Sequence, residues 1–139
     1  MLVVGAGIVG SIYGWALAES EHHVVHLVRS GRASALRDGL TLDMFDRRKR
    51  HKRNSGGLYR LNAVETLSPV DTFELVIVPV KHYALAETLK GVVPQAGSAE
   101  FLLLTQHWRG TDQFCRVHGT YVGTPRQVAR FLKALSLRL

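Results

Sequence analysis

Short apolar runs alternate along this chain with stretches whose apolar residues recur at helical spacing. Met1–Val4 is the first run and leads into Gly5, Gly7 and Gly10. Behind it Ile8, Val9, Ile12, Tyr13, Ala16 and Leu17 repeat as the stripe of an amphipathic helix. Val24–Val28 reads as a second strand, and a short helix is predicted around Arg32–Arg37. Gly39–Phe45 alternates imperfectly, through Leu40, Leu42 and Met44, and Gly57–Leu61 is its expected partner strand. Asn54-Ser55-Gly56-Gly57 has the chemistry of a loop, and Val64–Pro69 leads towards the next strand. Leu75–Val80 is almost wholly apolar, as a parallel strand covered on both faces should be. Pro79 falls near its end, where a missing ladder donor costs least. Ala84–Leu89 reads as a helix, Gly91–Gly97 as a connection and Glu100–Leu104 as another buried strand. Thr120–Val122 is a further short strand, closed by Gly123. Thr124 then caps a helix with Pro125 at its first position and a stripe of Val128, Phe131, Leu132, Leu135 and Leu139.

Alternation of this kind predicts an α/β domain with a mostly parallel sheet, here a single domain over residues 1–139. The glycines narrow the reading. Their G-x-G-x-x-G spacing lies between a strand and a helix: one glycine for a tight turn, one where a pyrophosphate can approach the backbone, one for close packing of helix on strand. The uncapped N–H groups and the helix dipole then make an anion site. The expectation is a doubly wound, Rossmann-like fold that binds a dinucleotide at this loop.

Arg29 stands at the carboxyl end of the second strand, where an acid would hold a ribose 2′-hydroxyl; an arginine suits a 2′-phosphate instead. Ser30 and Arg32 add a hydroxyl and a second cation, although Ser30 could equally cap the short helix after it. NADP is therefore expected over NAD. Ligands of an open α/β sheet bind outside the carboxyl ends of its strands. The topology thus brings three polar clusters together: the glycine loop, Lys81-His82-Tyr83, and Gln106-His107-Trp108.

Composition changes little in this picture. The net charge is +7, but six Lys and Arg lie in residues 47–53, and without them twelve bases face eleven acids. The run reads as a solvated turn between two strands. No interleaved aromatics support nucleic-acid binding through it. No apolar run is long enough to span a membrane, and the N-terminus has no signal-peptide pattern. A single cysteine, Cys115, excludes an intrachain disulfide and suits the cytoplasm. The seven histidines show no metal-ligand spacing: His22, His23 and His26 flank or enter a strand.

The segments GAGIVG, VVHLVRSGR, LVIVPVKHYALAETL and FLLLTQHWRG together resemble the ketopantoate reductases (2-dehydropantoate 2-reductases), from Met1 to about Gln113. The resemblance implies an NADPH-binding domain of an oxidoreductase that reduces a 2-keto acid to a 2-hydroxy acid in pantothenate biosynthesis. It implies cofactor contacts from Gly5, Ala6, Gly7, Ile8, Val9 and Gly10, from Arg29, Ser30 and Arg32, from Val80 and Lys81, and from Gln106 and His107. Lys81 would be an auxiliary catalytic residue. His107 stands where the family usually has Asn; if the chain turned over by itself, Lys81 or His107 would have to donate the proton. The family also carries a helical second domain that supplies the general-acid lysine and a substrate-binding carboxylate. The 139-residue chain has no counterpart of it, so little turnover is expected without a second domain or partner chain. The alternative is a non-catalytic NADP-binding module or a fragment that docks a partner.

Overall fold

Four parallel strand pairings build the sheet on which everything else rests. The computed structural model describes residues 1–46, 53–68 and 71–104; the elements expected at Thr120–Leu139, and Cys115, lie outside the described residues. In chain order the elements are β1 (Leu2–Val4), α1 (Ile8–Glu19), β2 (Val25–Leu27), β3 (Leu40–Asp46), β4 (Arg53–Tyr59), β5 (Asn62–Val64), β6 (Leu75–Val78), α2 (His82–Val92) and β7 (Glu100–Leu103). Short 3-10 turns lie at Ser34–Leu36 and Val93–Gln95. The main sheet runs β5-β2-β1-β6-β7, all neighbours parallel, while β3 and β4 form a separate antiparallel ribbon. Chain order reverses at β1, the switch point of a doubly wound, Rossmann-like sheet.

The strands are three or four residues long and alternate faces. Leu2, Val4, Val76, Val78 and Leu103 turn to one side, where Leu85, Leu89 and Val92 of α2 meet them. Val3, Val24, Ile77 and Leu102 turn to the other, with Leu17 of α1 against them. Burying each such side chain is worth about 1.5–3 kcal/mol.

Several boundaries move. The helix expected at Ala84–Leu89 runs from His82 to Val92 and includes Gly91. The helix expected around Arg32–Arg37 shrinks to one 3-10 turn whose cap, Ala33, makes no side-chain bond, so Ser30 does not cap it. Asn54–Gly57, expected as loop, is ladder: Asn54 faces Phe45 and Gly57 faces Leu42, so pairing along β3 overrides local turn chemistry. Of the basic run, Arg53 opens β4, and the turn expected over residues 47–52 lies outside the described residues. Asn62–Val64 is a strand in its own right, at the edge of the main sheet beside β2.

The largest correction concerns α1. Its stripe of Ile8, Val9, Ile12 and Tyr13 faces outward, with Ile8 82% exposed. Gly10, Ser11 and Gly14 are buried instead. The helix lies too close to the sheet for larger residues: a Cβ on Gly10 would stand 3.0 Å from the Gly5 carbonyl oxygen and 3.3 Å from Val3 Cγ1. At Gly14 a Cβ would run into the His26 ring and come within 2.9 Å of the Tyr59 hydroxyl.

His26 is fully buried under that helix. Its Nδ1 lies 2.9 Å from the Gly5 carbonyl oxygen and its Nε2 3.0 Å from the Tyr59 hydroxyl. A carbonyl only accepts, so Nδ1 carries the proton and Nε2 accepts from Tyr59. One imidazole thus ties the turn after β1 to the last residue of the ribbon. Burial lowers the His26 pKa from its ordinary 6.5, against the opposing effect of the bond to Gly5.

Two outcomes follow. Gly14→Ala should lose about 2–4 kcal/mol, because the new methyl overpacks the site and breaks a buried hydrogen bond, outweighing the roughly 1 kcal/mol gained in helix propensity. Urea unfolding of the two proteins measures it. Stability should also decline as the pH falls from about 6.5 towards the lower folded-state value of His26, since the unfolded chain takes up that proton first. The same unfolding followed against pH should give a flatter slope in that window for His26→Gln.

Candidate functional site

The carboxyl ends of β1, β2, β5 and β6 open into one cleft of about 830 Å³. That volume falls within the range of about 300–1,000 Å³ usual for small-molecule sites. β1 delivers Gly5, Ala6 and Gly7. Gly5 has φ +94°, a left-handed conformation that only glycine adopts without strain, and its amide donates to the Leu27 carbonyl at 2.7 Å. The chain can therefore turn sharply out of β1 while staying tied to β2. Gly7 is the N-cap of α1 and makes no side-chain cap bond; its carbonyl accepts from the Ser11 amide at 2.8 Å. A Cβ built on Gly7 meets nothing within 4 Å, so a group can approach this backbone from the cleft. The first N–H groups of α1 have no capping side chain in front of them, the arrangement that favours an anion.

β2 delivers Arg29, Ser30 and Arg32, all exposed on the cleft wall. β6 leads through Pro79 and Val80 to Lys81, the N-cap of α2, at the opposite wall. Two of the three expected clusters therefore meet. Gln106, His107 and Trp108 lie outside the described residues. Of the other expected contacts, Ile8, Val9 and Gly10 do not line the cleft. The first two sit on the outer face of α1, and Gly10 is buried under it.

β5 contributes a residue that the sequence did not single out. Glu65 follows Val64, whose carbonyl accepts from the Val28 amide at 2.8 Å, so it stands beside Arg29 across two adjacent strands. The Ala33 amide donates to Glu65 Oε1 at 3.0 Å. The bond from the Ala33 amide, with the polar groups of the neighbouring loop, holds the carboxyl below its ordinary range. The signal was available: the first residue beyond the carboxyl end of a strand lines the crevice of such a sheet. It was hidden because β5 itself was not recognised. The floor of the cleft is completed by α2 through Tyr83, Ala84, Glu87 and Thr88. No helix among the described residues is long and apolar enough to cross a membrane.

The comparisons agree with this geometry. No curated protein matches the chain. A PanE/ApbA family ketopantoate reductase from Ralstonia eutropha JMP134 superimposes with a TM-score of 0.69 and 25% identity, over 88% of this chain and 40% of its own. A 2-dehydropantoate 2-reductase from Methylococcus capsulatus gives 0.63 and 19%, over 87% and 38%. A D-mandelate dehydrogenase, in a ternary structure with NADH and anilino(oxo)acetate, gives 0.68 and 18%, over 89% and 40%. The chain thus spans about two-fifths of the length of these structures. The family model for ketopantoate reductase PanE/ApbA matches residues 1–107. With more than half its length covered by that match, and with the same sheet, this chain belongs to the ketopantoate reductase PanE/ApbA family.

Proposed function

We propose that this chain is the NADP(H)-binding domain of an oxidoreductase that reduces a 2-keto acid, 2-dehydropantoate or a close relative, to the 2-hydroxy acid. The observation that supports it most is the single cleft in which the glycine loop, the Arg29–Arg32 loop and Lys81 meet. NADH in a structure of the same fold adds support for the nicotinamide class.

The residues present fit such a cofactor. Gly5, Ala6 and Gly7 with the start of α1 would hold the pyrophosphate, where backbone is accessible and uncapped N–H groups attract negative charge. Arg29, Ser30 and Arg32 would hold the 2′-phosphate, the guanidinium forking onto its oxygens. Val80 and Lys81 would lie towards the nicotinamide. The reduced nicotinamide, when bound, supplies hydride to the keto carbon. The part of Lys81 is electrostatic: a cation at the carboxyl ends of the strands draws in an anionic cofactor and a keto acid and orients the carboxylate. Gln106 and His107 remain proposed cofactor contacts.

Gly7→Val should abolish NADPH binding in a chain that still folds, because the side chain would fill the open backbone approach. Nicotinamide fluorescence titration beside a thermal unfolding curve checks it. Arg29→Ala should lower the preference for NADPH over NADH by about tenfold, the lower end for a charged hydrogen bond because Arg29 is exposed. The Arg29/Arg32 double alanine variant should lower it further. An unchanged ratio of dissociation constants in the double variant would leave the 2′-phosphate without its reader.

A further inference from the structure

Resting on that reading of the cleft, we propose that Glu65 is a specificity-determining residue. Its carboxylate accepts from the Ala33 amide of the loop after Arg29 and sets a negative charge on the cleft wall that a 2′-phosphate would share. It therefore weakens NADP(H) binding selectively and sets the coenzyme ratio against Arg29.

The geometry carries this in three steps. First, Glu65 and Arg29 leave adjacent strands at the same level, joined through the Val28–Val64 hydrogen bond, and both line the cleft. A ligand in this cleft meets both charges. Second, the carboxylate is committed. Its Oε1 accepts from the Ala33 amide at 3.0 Å. The loop that presents Arg32 is folded around an internal anion. A phosphate held there by Arg29 and Arg32 must sit beside a like charge. Third, a carboxylate keeps lone pairs to spare and can accept from a neutral 2′-hydroxyl. Glu65 thus penalises one coenzyme and tolerates the other, whereas Arg29 and Arg32 do the reverse. The same carboxylate also orders the loop, so charge and shape must be separated by experiment.

The test is the ratio of NADPH to NADH dissociation constants, by nicotinamide fluorescence and by calorimetry, on the full 139-residue chain. Wild type is compared with Glu65→Gln, Glu65→Asp and Arg29→Ala, each checked by thermal unfolding. Gln keeps an acceptor for the Ala33 amide and removes the charge. Glu65→Gln should shift the ratio towards NADPH by roughly five- to tenfold, the size of one unit-charge contact near a wet surface. Glu65→Asp keeps the charge and should stay near the wild-type ratio. A ratio unmoved by Gln overturns the proposal, as does an equal loss of both coenzymes, which marks a loop clamp only. A shift in Asp as large as in Gln overturns it too, because loop shape and not charge would then be acting. If Arg29→Ala raises the ratio while Glu65→Gln leaves it unmoved, the coenzyme reading stands and only the role of Glu65 falls. If wild type binds neither coenzyme, the reading of the cleft falls and this inference with it.

Discussion

The closeness of α1 to β1 is the constraint on which the rest of the structure depends. It exists because Gly10 and Gly14 carry no side chain. With the helix seated that low, its first turn opens directly onto the carboxyl end of β1, and the left-handed Gly5 can make the turn in so few residues. His26 fills the remaining gap with polar groups on both sides and leaves neither of its nitrogens unpartnered. A bulky, well-packed helix interface would have been more stabilising by area, but it would lift the helix N-terminus away from the crevice. The fold here gives up apolar burial to bring backbone donors to a ligand. The apolar flank that could have been buried, Ile8, Val9, Ile12 and Tyr13, is turned away from the sheet as a result.

That trade explains where the sequence was legible and where it was not. The glycine loop could be read because its spacing dictates backbone geometry whatever packs around it. The β6 run could be read because a strand covered on both faces has no other use for LVIV. For α1, periodicity grouped residues into faces correctly but did not say which face turns inward. Size decides that, and the small set Gly10, Ser11 and Gly14 repeats at the same spacing as the large one. β5 is three residues long and at an edge, too short to leave a periodic trace. Glu65 was lost with it. The ribbon strand β4 was half hidden because Asn-Ser-Gly-Gly prefers turns, and only its partner β3 holds it extended.

At the cleft, charge is arranged in layers. The glycine loop offers partial positive charge from backbone dipoles, which do not titrate and need no reorganisation. Beyond it stand full charges of both signs: Arg29, Arg32 and Lys81 against Glu65 and Glu87. On the proposed reading, such a site would recognise the common part of a nucleotide through backbone. It would leave the distinguishing part to a few exposed side chains, each screened by solvent and each replaceable without disturbing the sheet.

Gly14, His26 and Tyr59 belong to three different elements, yet they share one contact. In descent they cannot drift separately. A larger residue at 14 requires a smaller one at 26, and a smaller one at 26 deprives the Tyr59 hydroxyl of its acceptor. Among relatives of this chain the three positions should therefore co-vary as a set. The antiparallel ribbon, which looks like a detachable ornament beside the sheet, would then be inherited with the helix that its last tyrosine reaches through His26.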